Sequence, residues 1–349
     1  MPPKSANRRV TSGPVIRSES LLATETEKHA TSKSLYGDHK ARISSNVHAI
    51  HDRVRIKAFQ SILNSLKGKN VLHLGCGVGI LSMMAARAMA KHVVAVDSSA
   101  IVEAVTIVAQ QNNLQNITFL RGSVKELKLP IEKFDVVICE WMGSFLTNEK
   151  TIEDLIYCRD NLLSEGGVIC PDRSSMHVVG ITDYNYYFDS VEYWDNVYGF
   201  NMTPMKKLVL EEASACHIPK HCIVTNSCLV HSVNIRELDI NNRGYTAPYT
   251  IQASKKATLH FLTFYIDCTF NNPVDPGANF VIGFNPGRHN TWTEVSVMLA
   301  EAIPVNAGDV VKGSISVEVT EKATYITVSA DCDSAAGKTL TSGKYIYSF

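Results

Sequence analysis

The chain has 349 residues, 45% hydrophobic and 19% charged, which is enough apolar material to bury a large core and excludes disorder over the whole length. Lys plus Arg and Asp plus Glu stand at 34 each, so no global field draws the molecule to nucleic acid, and no basic patch stands out in the folded region. The nine cysteines form no C-x-x-C pair and follow no secretory leader, and apolar runs such as Val93 to Val96 are too short to cross a bilayer; reduced thiols, no metal site and a cytosolic or nuclear location are expected.

Residues 1–34 are rich in Ser, Thr, Arg and Lys and poor in large apolar side chains, so they read as a flexible tail. Its Lys4, Arg8, Arg9 and Arg17 offer RNA a weak contact, against which a solvated leader is the plainer reading. From Val54 to Leu66 apolar residues recur at helical spacing, and Lys67-Gly68 ends the pattern. Val71 to Leu74 is a short apolar run, followed by Gly75-Cys76-Gly77-Val78-Gly79 and an Ala- and Met-rich helical stretch from Ile80 to Met89. Val93 to Val96 ends at Asp97, and Ile117 to Leu120 and Phe134 to Cys139 come next as strands separated by helical segments. Alternation of this kind predicts an α/β fold, a parallel sheet with helices on both faces, over residues 35–170.

Past Gly166-Gly167 and Pro171 the texture changes. Short alternating runs at Met176 to Ile181, Leu229 to Ile235, Ala257 to Phe270 and Ile315 to Val319, broken by Gly, Pro and Asn, predict an antiparallel β domain over 171–349. An insertion at about 183–224 is dense in aromatics, among them Tyr184, Tyr187, Trp194, Tyr198 and Phe200. It reads equally as a local core under a long loop and as a protein-binding arm, because aromatics are favoured in both settings.

A glycine turn between strand and helix lets backbone approach a ligand, and an acid ending the next strand can hold both ribose hydroxyls. Gly75, Gly77, Gly79 and Asp97 fit that pattern, which also serves NAD enzymes and, in some proteins, nothing more than tight packing.

Residues further along the chain narrow the choice. Cys139-Glu140-Trp141-Met142-Gly143, with Glu149 nine residues beyond Glu140, resembles the double-glutamate loop of protein arginine methyltransferases. Pro171-Asp172-Arg173, Val197 to Met202 and Asn290-Thr291-Trp292 are similar, in order, to that family's domain junction, dimerisation arm and final active-site loop. The resemblance spans about residue 35 to the C-terminus. It implies a Rossmann-like domain for S-adenosylmethionine, a β-barrel, and a helical arm docking on a partner. Glu140 and Glu149 would clamp the substrate guanidinium, a planar cation that two carboxylates can orient. Arg55 would meet the cofactor carboxylate and Asp97 its ribose.

Elsewhere the sequence departs from the family. Tyr36 is kept in the lid pattern Y-F-x-x-Y, but Gly37 and Lys40 replace the other aromatics; Asn46 and Ala49 replace a His and a cofactor-packing Met. His73 stands where an acid would meet the cofactor ammonium, and Lys125 where a Glu would accept from the adenine amine, so that a donor faces a donor. Losing two charge-assisted bonds at about 1.5–3 kcal/mol each implies roughly 10²- to 10⁴-fold weaker binding. Thr291 replaces the His of T-H-W, leaving Asp52 without that partner.

Two functions are therefore open. In one the chain is a non-catalytic prozyme that activates a catalytic paralogue by heterodimerisation through the arm, acting through the complex on Arg-Gly-rich proteins. In the other it is an active type I enzyme, and its partner is then a second copy of this chain.

Overall fold

Apolar runs of four to six residues closed by a polar one fold as adjacent parallel strands in the computed structural model, which describes residues 43–63, 65–270, 280–283, 294–334 and 337–347. The expected tail, the lid positions Tyr36, Gly37 and Lys40, and the Asn290-Thr291-Trp292 loop lie outside the described residues. Helices α1 (Ile43–His51) and α2 (Arg53–Leu63) precede the alternating part. There β1 (Asn70–Leu74), α3 (Ile80–Arg87), β2 (His92–Asp97), α4 (Ile101–Gln111), β3 (Ile117–Arg121), β4 (Phe134–Cys139), α5 (Thr151–Asn161) and β5 (Leu163–Cys170) succeed one another. The sheet order is β3-β2-β1-β4-β5, with every pairing parallel. The order reverses direction between β1 and β4, and the carboxyl ends of strands at such a point form the ligand crevice of doubly wound sheets.

Both predicted helices end earlier than their apolar spacing suggests. After Leu63 the chain tightens into three-residue turns, Ser65 donating to Ile62 and Leu66 to Leu63, and Met89 adopts a left-handed φ of 65° after α3.

The second half is antiparallel. One sheet runs β7 (Ala213–Cys216), β12 (Glu294–Val305), β10 (Ala257–Phe270), β6 (Arg173–Ile181) and β8 (Cys228–Asn234), with β11 (Phe280–Ile282) on β10. The other runs β15 (Gly337–Tyr347), β14 (Thr324–Ser334), β13 (Val310–Val319) and β9 (Tyr245–Gln252). Along β9, Ala247, Tyr249 and Ile251 are buried between exposed Thr246, Pro248 and Thr250, the period of two that places one face on a core.

One apolar cluster runs through both halves, and the segment after β4 is its wedge. Trp141 is wholly buried, and its Nε1 donates to the Pro171 carbonyl at 2.8 Å. Phe145 meets Phe264 of β10 at 6.1 Å and Tyr347 of β15 at 5.4 Å. Burying each such side chain is worth about 1.5–3 kcal/mol, so Glu140, one residue before Trp141, sits on an anchored backbone.

The insertion after β6 divides its aromatics. Asp183 caps α6 (Tyr184–Ser190) by accepting from the Tyr186 amide at 3.0 Å, and α7 (Pro204–Leu210) comes after a 3₁₀ turn at Glu192–Asp195. Tyr187, Val191, Val209 and Leu210 pack on Val179, Ile181, Phe261 and Met298. Tyr198 and Phe200 stand 93% and 72% exposed on a turn in which Tyr198 and Gly199 have φ of 50° and 89°. One face of the insertion makes a local core, and its tip projects bare rings.

Candidate functional site

The site lies at the carboxyl ends of β1, β2 and β4. The amides of Gly75 and Cys76 both donate to the Val96 carbonyl, at 2.9 and 3.2 Å, hanging the glycine turn on β2. Asp97 braces it: one carboxylate oxygen accepts from the Gly77 amide at 2.8 Å, the other from Ser99 at 2.9 Å. The three glycines do different work. Gly75, at φ 67°, faces open space; a Cβ on Gly77 would lie 2.5 Å from the Asn46 side chain of α1; a Cβ on Gly79 would strike Val105 and Phe119. Gly79 thus serves helix packing, while Gly75 and Gly77 keep backbone open to the crevice.

The crevice is a cavity of about 210 Å³ lined by Asn46, Leu74, Gly75, Gly77, Asp97, Glu140, Glu149 and Thr151. The fold therefore brings Gly75, Gly77, Asp97, Glu140 and Glu149 to one place, although they lie far apart in the chain. Small-molecule sites commonly measure about 300–1,000 Å³, so this one is narrow.

Arg55 bonds to Glu140, one of the lining residues. Its Nε donates to Glu140 Oε1 at 2.6 Å and its Nη2 to Oε2, a bidentate fork, while Nη1 donates to the Ala49 carbonyl at 3.0 Å. Burial works against this guanidinium's charge, but the field and hydrogen bonds of Glu140 outweigh it and hold the pKa above the usual arginine value. The residue expected to meet a cofactor carboxylate thus bonds Glu140, one of the two carboxylates expected to clamp a substrate.

The two substituted acids behave differently from each other. His73 is buried, with Nδ1 2.6 Å from the Ser82 hydroxyl of α3. Burial, aided by the Arg55 charge, pushes its pKa down to about 3, so the ring is neutral. Lys125 is not among the residues that line the crevice, and its Nζ lies 3.5 Å from Asp154 of α5. Both side chains are well exposed, so this ion pair is a weak surface contact. Lys125 supplies no acceptor.

Asp52 is the N-cap of α2: its Oδ1 accepts from the Val54 and Arg55 amides at 3.1 and 3.0 Å, and its carbonyl from Ile56.

Sequence reading missed Ser82 as the partner of His73, Thr151 in the lining, and the Arg55–Glu140 fork. The first was findable, because the third residue of a helix entering from a glycine turn faces the end of the preceding strand. The last was not, since 85 residues separate its partners.

The residues fit an S-adenosyl nucleoside in part. Open glycine backbone and Asp97 suit a ribose, whereas His73, which the resemblance sets against the ammonium, is a neutral, buried imidazole that is not among the lining residues, and Arg55 is engaged.

A doubly wound parallel sheet with its crevice at the switch point, followed by an antiparallel body with a helical arm, defines a Rossmann-like methyltransferase fold with a β-barrel-like second part. Residues 71–167 match a family described as a methyltransferase domain, and residues 172–328 the arginine methyltransferase oligomerization subdomain. Protein arginine N-methyltransferase 1.1 of Arabidopsis thaliana is 32% identical over 312 residues, 87% of this chain and 79% of that protein. Protein arginine N-methyltransferase 1 of Dictyostelium discoideum is 31% identical over 301 residues, 84% and 87%. The chain belongs to the protein arginine methyltransferase family, whose members depend on S-adenosylmethionine. Among solved structures it is similar to a chain of the Trypanosoma brucei PRMT1 enzyme-prozyme heterotetrameric complex with AdoHcy. Identity is 48% and the TM-score 0.84, over 88% of this chain and 99% of that one. Arabidopsis thaliana protein arginine methyltransferase 10, at 22% identity and a TM-score of 0.76, shares the fold.

Proposed function

We propose that this chain is a catalytically silent subunit that binds a catalytic arginine methyltransferase paralogue through its arm and activates it towards Arg-Gly-rich proteins. The observation that carries the reading is His73. A sulfonium nucleoside with an amino-acid tail presents an ammonium that needs an anionic or strong neutral acceptor. At the strand end where a carboxylate would meet it, this chain has a neutral ring already bonded to Ser82. The projecting Tyr198 and Phe200 support the partner-binding half of the reading, since bare aromatics on a protruding turn suit an interface core. The assembly of enzyme with prozyme in the similar Trypanosoma brucei complex supports it further.

The competing reading, an active type I enzyme, draws on the intact Asp97–Gly77 cradle and the two glutamates that line the crevice. The two readings separate in one experiment. The chain is purified alone and after co-expression with a catalytic paralogue; each species is assayed on an Arg-Gly peptide with labelled S-adenosylmethionine, and nucleotide binding is followed by calorimetry. The silent-subunit reading expects no turnover and no binding heat at millimolar nucleotide for the chain alone, and a co-purified complex more active than the paralogue by itself. Turnover by the isolated chain at a rate comparable with active relatives overturns it.

A further inference from the structure

Helix α6 and the 3₁₀ turn after it carry a second set of aromatic side chains, other than the two at the arm tip. On its inner side Tyr187 and Val191 pack on Val179 and Ile181 of β6, Phe261 of β10 and Met298 of β12, so the helix is anchored on that sheet. Tyr184, Tyr186, Phe188 and Tyr193 stay between 41% and 57% exposed. Tyr184 and Phe188, four residues apart and so neighbours along the helix, have ring centres 6.1 Å apart. The Tyr184 hydroxyl donates to Glu192 Oε2 at 3.3 Å, which sets a carboxylate beside that pair of rings.

The charge around these rings has one sign. From Asp183 to Met205 the chain has four acids, Asp183, Asp189, Glu192 and Asp195, and no Lys, Arg or His. Lys206 of α7 takes up Asp195 at 2.7 Å. Among the described residues no Lys or Arg pairs with Asp189 or Glu192. The field of Glu192 raises the Tyr184 phenol above its ordinary pKa, so the negative potential reaches the rings themselves. A purely apolar partner would strip water from these carboxylates without pairing them, which is costly. A guanidinium satisfies both features at once, because its plane stacks on an aromatic face and its fork of donors pairs a carboxylate.

We propose that this face of the arm, Tyr184, Phe188 and Tyr193 with Asp189 and Glu192, docks unstructured arginine-rich segments of substrate proteins. The proposal deepens the silent-subunit reading and rests on it: the silent subunit holds the Arg-Gly-rich segment that the catalytic partner modifies. Glycine between the arginines leaves the backbone free to lay successive guanidinium groups on successive rings. Tyr198 and Phe200, which that reading gives to the partner subunit, are different side chains, so one arm serves both contacts.

Fluorescence anisotropy on the full chain tests it, with a labelled Arg-Gly-Gly repeat peptide and its Lys-Gly-Gly counterpart at physiological ionic strength. The wild type is expected to hold the arginine peptide about fivefold more tightly, since an ammonium has no plane to stack. The double substitution Tyr184→Leu with Phe188→Leu keeps apolar bulk and removes the rings. It is expected to weaken the arginine peptide about tenfold, the size of two exposed cation–π contacts. Glu192→Gln is expected to weaken it about threefold, and Tyr198→Ser with Phe200→Ser to leave it unchanged. Equal affinity for the two peptides overturns the docking face, as does wild-type affinity in the Leu double variant. If that variant melts early, Glu192→Gln, which keeps the side-chain shape, decides the matter, and wild-type affinity there overturns it. Sedimentation with the catalytic paralogue checks the other occupant: lost subunit association with peptide binding kept gives the face to the partner subunit and overturns the proposal. The methylation assay of the isolated chain is scored separately. Turnover with ring-dependent peptide binding removes the silent-subunit reading and spares the docking face, and silence with ring-independent binding does the reverse.

Discussion

His73 Nδ1 lies 2.6 Å from the Ser82 hydroxyl, with both side chains sealed from solvent. Burial first, and the Arg55 charge second, lower the folded-state pKa to about 3 from an ordinary 6.5. Between those values the unfolded chain binds a proton that the folded chain refuses, so stability rises with pH. The contribution is complete above about pH 6.5 and is lost progressively as pH falls towards 3. Urea unfolding at pH 7, 6 and 5 is expected to show the wild type losing up to about 1.4 kcal/mol per pH unit more than His73→Gln. Parallel curves for the two proteins would exclude a sealed neutral imidazole.

Asp52 accepts from two amides in the first turn of α2. Replacing it with alanine leaves those donors uncapped, so Asp52→Ala is expected to cost about 1 kcal/mol in chemical unfolding. Asp52→Asn, which keeps an acceptor at the same reach, is expected to retain most of that stability. Equal losses in the two variants would mean that the charge, and not the cap, matters at this position.

Two glycines of the turn are expected to respond differently to the same change. A Cβ at Gly79 meets Val105 and, at 2.9 Å, the ring of Phe119, in addition to the strain of φ 70°. Gly79→Ala is expected to lower stability by about 2–3 kcal/mol. Gly75 has the strain alone, with nothing within 4 Å, and Gly75→Ala is expected to cost about 1–2 kcal/mol. Thermal unfolding of the two variants ranks them, and the reverse order would contradict the packing role assigned to Gly79.

Tyr198 and Phe200 project from the arm, while Tyr187 and Val191 belong to its local core. The double substitution Tyr198→Ser with Phe200→Ser is expected to shift the stability of the isolated chain by no more than about 0.5 kcal/mol. The dissociation constant with the partner subunit is expected to rise about 30-fold, the order of one 2 kcal/mol hot spot. Sedimentation of mixed subunits reads the second quantity; an unchanged constant would remove these rings from the interface.

Strands, their alternation and the glycine turn were legible in the residues alone, because backbone conformation is set by period, β-branching and left-handed φ, all local properties. Asp97 at the end of β2 was legible for the same reason, since a residue closing a strand beside a glycine turn has few places to point. The ordered motifs from Cys139 to Met202 carried the family. Tertiary structure alone decided which charge meets which. Arg55 takes up Glu140 from 85 residues away, Lys125 pairs with Asp154, and Asp52 bonds its own helix. Long flexible side chains choose among several partners at similar cost, and burial and the anchored backbone at Trp141 settle that choice only once the chain has folded.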